Sequence, residues 1–412
     1  MLFSNLGYAF EPNLSGFLEA GNRTTIEAID EEGNTLDYDY TKYYLRYKNP
    51  IRKPLNLTLV YSSYLKKYED KKELNNNTIS VKSYWDYFLF SRKESSLKLD
   101  VDLGWREKKY KDKDRDAYTN SQWMSKLKST YEIKDLWSVS GEIGYKDYDY
   151  FLTEGRDRKE FSERVEGKKY FSSKRIQFLA LVNFRQTDFD SEPDTNQFIY
   201  RLGANVKPEF SFLSEMEGRI EEGKKYTDED IEEDIEEEQE GDYYFKYRKW
   251  WLKTEHPVFE RMYTVLKYTN YNKDYTTADY DHRWYEIENW WKYLLLENPM
   301  RRLSITFGYL HRETDYSQMK ISSYDKDSVE MGVDLSWKNN WRSLLKLGLD
   351  IDDYTIGREK DKKTYSMGIQ LEKEIITRKL ALGAEYKWKF KDYELGSDKS
   401  QNAGRVSIDY KF

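Results

Sequence analysis

The amino-acid sequence predicts an all-β fold: a single transmembrane, antiparallel, up-and-down β-barrel of about 20 strands, within bounds of roughly 18 to 22. Three observations predict it. Apolar and polar residues alternate strictly through most of the chain. The alternating runs last about 10–14 residues, the length that crosses a tilted bilayer, against about 5–6 for an ordinary globular strand. The connections between runs are short and long in turn, as when tight turns line one rim and loops the other.

The alternation is clearest from Leu97, where Leu97, Leu99, Val101, Leu103 and Trp105 interleave with Lys98, Asp100, Asp102, Gly104 and Arg106. It returns as Val139, Gly141, Ile143 and Tyr145 against Ser140, Glu142, Gly144 and Lys146. Phe198, Tyr200, Leu202, Ala204 and Val206 repeat it, and so do Leu380, Leu382, Ala384, Tyr386, Trp388 and Phe390. A period of two puts one set on each side of a sheet, one apolar and one charged. Strands are expected near 13–29, 36–47, 55–67, 78–92, 97–109, 121–133, 138–151, 161–172, 176–188 and 197–207. Ten more follow near 214–223, 243–254, 261–271, 283–296, 303–314, 328–337, 343–354, 364–375, 380–392 and 403–412. Two runs are blurred: residues 36–47 change phase near Lys42, and 243–254 carries aromatics and cations on both faces, which suggests bulges. Pro50, Pro54, Pro193, Pro208, Pro257 and Pro299 are expected in connections, where no ladder N–H is lost. Residues 1–12 read as an N-terminal periplasmic segment, 13–412 as the barrel, and 224–242 as an acidic external loop.

Composition bounds the function. The 412 residues include 38 Tyr, 19 Phe and 12 Trp, too aromatic for a disordered chain, although mean hydropathy is −0.97. With no Cys, disulfides, thiolate metal sites and covalent c-type haem are excluded on this chain. A net charge of −7 gives no basic footprint for nucleic acid. Met1 is not followed by a basic and then apolar leader, so the chain reads as processed or trimmed.

The chain ends Val406, Ser407, Ile408, Asp409, Tyr410, Lys411, Phe412, with Val406, Ile408, Tyr410 and Phe412 on one apolar face. This resembles the C-terminal strand of the bacterial outer-membrane β-barrel (porin-like) superfamily, in which such a terminal aromatic strand is read by the barrel-assembly machinery. The resemblance implies residence in the outer membrane of a Gram-negative bacterium, contact with lipid and lipopolysaccharide, and assembly by that machinery. It singles out no particular family.

The lumen-phase residues are Lys98, Asp100, Asp102, Arg106, Lys126, Lys128, Glu142, Arg164, Glu166, Arg185, Arg201, Arg219, Arg302, Glu330, Asp334, Lys346, Asp350, Glu385, Lys387, Arg405 and Asp409. They would keep an interior wet and pair across strands; their mixed signs argue against strong charge selectivity. Glycines fall in the same phase, among them Gly104, Gly144 and Gly368. Trp105, Tyr131, Phe161, Phe184, Trp291, Trp337, Trp388 and Phe412 lie near the ends of apolar faces and are expected to form interfacial girdles. His256, His282 and His311 sit in no catalytic or metal-like spacing, and the acidic run from Asp228 to Glu240 reads as a solvated loop or an inward constriction.

At about 4.8 Å spacing and about 40° tilt, 20 strands enclose a backbone diameter of about 40 Å, too wide for side chains to fill. The expected role is a porin-like channel for hydrophilic solutes, without cofactor, metal or catalytic residues. The alternatives are a sheath or export port around a periplasmic, surface or lumen-occupying partner, such as an exported polysaccharide or a cytochrome, and an outer-membrane enzyme or adhesin.

Overall fold

The computed structural model describes residues 13–29, 35–52, 55–68, 75–111, 119–150, 157–171, 175–190, 193–210, 212–227, 245–275, 281–317, 322–337, 340–356, 361–376, 380–394 and 399–411. Twenty strands fill them. The first ten are β1 (Asn13–Ile29), β2 (Thr35–Arg52), β3 (Leu55–Tyr68), β4 (Asn76–Ser91), β5 (Ser95–Tyr110), β6 (Asn120–Ile133), β7 (Trp137–Tyr150), β8 (Arg158–Phe171), β9 (Ile176–Phe189) and β10 (Thr195–Val206). The second ten are β11 (Glu215–Thr227), β12 (Phe245–Phe259), β13 (Met262–Tyr275), β14 (His282–Asn298), β15 (Arg301–Tyr316), β16 (Tyr324–Trp337), β17 (Trp341–Tyr354), β18 (Lys362–Ile376), β19 (Leu380–Tyr393) and β20 (Lys399–Lys411). Each pairs antiparallel with the next, and β20 pairs with β1 from Ser15↔Lys411 to Arg23↔Ala403, so the sheet closes on itself. Along that stretch closure leaves no unpaired edge, the condition for spanning hydrocarbon with strands.

Short turns join the even-numbered strands to the next odd ones, apart from the longer connection 207–214 between β10 and β11, and most of the longer connections lie on the opposite rim. Two short turns place Asp135 and Asn340 at φ 63°, a conformation that Asp and Asn tolerate better than other side chains. The strands run a few residues further than the sequence suggests, because the ladder continues past the membrane-spanning alternation. Pro50 and Pro257 therefore fall inside β2 and β12 rather than in connections. Both stand at register shifts, Asn49/Arg52 and Pro257/Phe259, where a missing N–H disturbs least. β11 likewise extends to Thr227, so the connection to β12 begins later than residue 224; its acidic run lies outside the described residues, as do residues 1–12 and Phe412.

No bulge explains the two blurred runs. Register is continuous from Asp39 to Lys48 against β1 and from Phe245 to Pro257 against β13. Tyr40, Tyr44, Tyr247 and Trp251 occupy the same phase as the charged residues. The blur is aromatic residues on the polar face, not a break in the strand.

Candidate functional site: the charged face of the barrel

One face of the sheet carries the exposed large apolar side chains. Leu103, Leu127, Val139, Ile143, Val165, Val182 and Leu202 are all more than two-fifths exposed. A soluble monomer does not leave so continuous an apolar surface uncovered. The other face carries most of the ion pairs; Lys109–Glu107, Arg248–Glu222, Arg283–Asp315 and His311–Asp327 lie in the convex phase, towards the loop ends of their strands. The ion-paired face is the concave one, since side chains from β2 and β3 share a recess with those of β16–β20, seven strands around the ring.

Aromatic pairs bracket the convex apolar band. Towards the turns, Phe90 and Trp137 flank Tyr131 at 6.1 and 5.1 Å between ring centres, and Phe171 meets Phe178 at 5.8 Å. Towards the loops, Trp105 meets Trp123 at 6.4 Å, Phe184 meets Phe198 at 4.8 Å, and Trp388 stacks on Phe390. On β6, Trp123 and Tyr131 are separated by about 27 Å along the strand, or about 20 Å across a barrel tilted about 40°. That is close to the apolar band of about 25 Å flanked by aromatic girdles in membrane barrels. Phe161, Trp291 and Trp337 share this convex face.

On the concave face the register brings the sequence-predicted residues together strand by strand. Asp102 stands opposite Lys126, and Glu142 opposite both Lys128 and Arg164. Lys98 bonds Asp100 and lies 3.4 Å from Asp86, while Lys126 reaches Asp102 at 3.4 Å and Glu142 at 3.7 Å. Glu166 takes Arg164 at 2.5 Å and Lys168 at 2.6 Å. Further round, Arg201 donates to Glu221, Arg219 to Glu217 at 2.6 Å, and Lys346 reaches Glu330 at 3.5 Å. Asp334 takes Arg342 at 2.8 Å, and Asp350 accepts from the Ser328 hydroxyl at 2.5 Å. Glu385 accepts from Lys387 at 2.7 Å and lies 3.7 Å from Arg405. Arg106 and Arg185 occupy the same phase, and Asp409 does so at its backbone position in the β19–β20 register. Arg302 sits at the turn rim beside Glu297, 3.8 Å away, rather than deep in the interior. Such pairs, half-solvated, contribute little stability singly.

Two features escaped the sequence reading. The first is a concave aromatic wall. Tyr247 stacks on Tyr271 at 5.8 Å, Tyr271 on Trp284 at 5.3 Å, and the Arg312 guanidinium lies 4.7 Å over Trp284 while bonding Glu286. Gly308 leaves room for the Trp290 ring, which a Cβ there would strike. The signal was the mixed β12 run, read as a bulge.

The second is a repeated cap at the loop rim. The last concave-phase residue of seven strands donates its backbone N–H to a short polar side chain just before the returning strand. Tyr68 bonds Asn75 Oδ1 at 2.6 Å, Tyr150 bonds Asp157 Oδ1 at 2.6 Å, and Tyr354 bonds Asp361 Oδ1 at 2.6 Å. Tyr110–Thr119, Phe189–Asp194, Tyr275–Asp281 and Tyr316–Ser323 repeat it at 2.5–3.3 Å. The carbonyls of Asn75, Asp157, Asp281, Ser323 and Asp361 accept from the next hairpin, lacing neighbouring loops together. The recurring Tyr and Asp/Asn/Ser/Thr were visible in the sequence, but their pairing spans a loop and an alternation count does not detect it.

The histidines remain dispersed. His256 bonds Thr254 Oγ1 at 2.9 Å and the Phe212 carbonyl at 3.0 Å, His282 packs between Tyr275 and Tyr316, and His311 bonds Asp327 at 3.0 Å. Among the described residues, no group of three His, Asp or Glu is gathered to hold a metal ion.

No protein-family profile and no curated protein sequence matches the chain. Solved structures do. The ferric-catecholate import receptor Fiu of Escherichia coli K12 aligns with a TM-score of 0.61 at 8% identity, over 97% of this chain and 81% of that one. OccAB3 of Acinetobacter baumannii aligns at 0.51 and 10% identity, over 98% and 99% of the two chains. The copper transporter OprC aligns at 0.54 and 8% identity, over 98% and 80%. The chain has the fold of Gram-negative outer-membrane β-barrels.

Proposed function

We propose that this chain resides in the outer membrane of a Gram-negative bacterium and gives hydrophilic solutes passage through a charged aqueous lumen. One observation carries the reading. A closed ring of strands presents exposed aliphatic and aromatic side chains on its convex side and interlinked ion pairs on its concave side. Lipid is the solvent for the first surface and water for the second; burying the ion-paired face dry would incur a desolvation penalty of several kcal/mol per ion. Solved structures sharing the fold include an import receptor and a copper transporter, which supports a transport role without specifying the solute. The chain is read as a conduit without chemistry of its own.

Reconstitution into planar bilayers tests this. Discrete, ohmic conductance steps from the purified protein are the expected result. Insertion verified by protease protection but without conductance would overturn the open-channel reading.

A further inference from the structure

The charges of the concave face are unevenly distributed. Where the barrel closes, β2 and β3 carry Lys42, Arg46, Lys48 and Lys66 in the concave phase and, among the described residues, no carboxylate in that phase. Three strands beyond β2 across the closure, β19 carries Lys387, Lys389 and Lys391 against Glu385.

The two groups meet in one recess of about 670 Å³. Its floor is made by small residues on β18, Ser366 and Gly368. Lys346 of β17 and Lys387 of β19 stand on either side of Gly368 in the register, about 10 Å apart across two strand spacings. A Cβ at Gly368 would meet nothing closer than 4.0 Å, so the floor between the two lysines is open. Lys389, Arg405 and Lys42 complete the cationic lining, and the rings of Tyr40 and Tyr64, 5.7 Å apart, form the far wall. Five cations thus share the recess with two carboxylates, Glu330 and Glu385. Adding Glu19, which lies opposite Lys42 in the β1–β2 register, still leaves the cations in excess. A concave wall bearing one sign of charge raises the local concentration of the opposite ion.

We propose that this recess is a binding site for small organic anions carrying two or more carboxylates, and that it makes the lumen prefer anions although the chain as a whole is acidic. Lys346 and Lys387 each hold one glutamate of the recess, Glu330 at 3.5 Å and Glu385 at 2.7 Å, so the excess cation is shared among lysines set apart across the open floor, an arrangement that suits separated carboxylates on one molecule and that a single halide cannot bridge. The site rests on the reading of the concave face as a solvated lumen.

Equilibrium dialysis of labelled citrate against the detergent-purified barrel at low ionic strength tests it without requiring conduction. Saturable binding is expected, with Kd raised at least tenfold in K387Q/K389Q and changed less than twofold in K126Q/K128Q on the β6 wall. Heat-modifiable migration on gels verifies that each variant is folded. Absence of saturable citrate binding, or equal affinity in wild type and K387Q/K389Q, would overturn the proposal. Displacement of citrate by pyrophosphate at equal or lower concentration would also overturn it, assigning the site to phosphate esters instead. Citrate binding in a barrel that never conducts would sink the channel reading while leaving the recess in place.

Discussion

Two walls of the same lumen solve the problem of charge differently. Along β5–β8 the carboxylates are threaded between cations: Lys126 lies between Asp102 and Glu142, and Glu166 between Arg164 and Lys168. Around the closure, β2 and β3 contribute cations alone and β19 contributes three lysines to one glutamate. The first wall balances its cations with carboxylates within and between strands; the second carries more cations than carboxylates, even though Lys387 and Arg405 share Glu385 and Lys346 reaches Glu330. A single composition therefore yields a scaffold on one side and a recognition surface on the other. Net charge, −7 for the chain, describes neither.

The largest expected effect separates the two faces of one strand. Leu127, in the middle of β6, is 45% exposed on the convex face, beside Lys126 on the concave one. L127R is expected to destabilise the barrel by about 2–4 kcal/mol, because it places a cation in hydrocarbon. K126Q is expected to cost no more than about 1 kcal/mol, as for a solvated ion pair. Urea titration of protein refolded into lipid vesicles reads both; equal losses would mean the faces are assigned wrongly.

Selectivity separates the two walls. In a salt gradient across a planar bilayer, the wild-type reversal potential is expected to show anion preference. The K346E/K387E/K389E variant is expected to invert its sign, whereas K126E alone shifts it only partway. A triple variant that retained the wild-type sign would place the selective region elsewhere. The contrast is also expected to fade with salt, since the Debye length falls from about 10 Å at 0.1 M to about 3 Å at 1 M. A preference that persisted undiminished at 1 M would point to steric rather than electrostatic selection.

The smallest effect concerns the loop rim. D281A removes the acceptor of the Tyr275 N–H, 2.5 Å away, and is expected to cost about 1 kcal/mol. Faster hydrogen exchange at Tyr275 is the accompanying sign, with D281N close to wild type.

Much of this fold was legible because a barrel strand declares itself by period and length. Leu97 to Arg106 gives both faces at a glance, and every lumen-phase residue named from the sequence keeps the concave register. The reading failed where the concave face is aromatic. Tyr40, Tyr44, Tyr247 and Trp251 look apolar by composition yet share a face with lysines, since an amphipathic ring suits a wet wall as well as a lipid one. Pro50 and Pro257 were assigned to turns because the sequence does not show that a ladder continues beyond a register shift.

The sequence by itself determined which residues share a face and roughly how many strands there are, because side-chain direction in a strand depends only on the parity of position. Only the tertiary structure decided which strands become neighbours across the closure, and hence that Lys387 and Lys389 come to share a recess with Lys42 and Tyr64. Ring closure joins the two ends of the chain, and no local pattern records what lies opposite what at that seam.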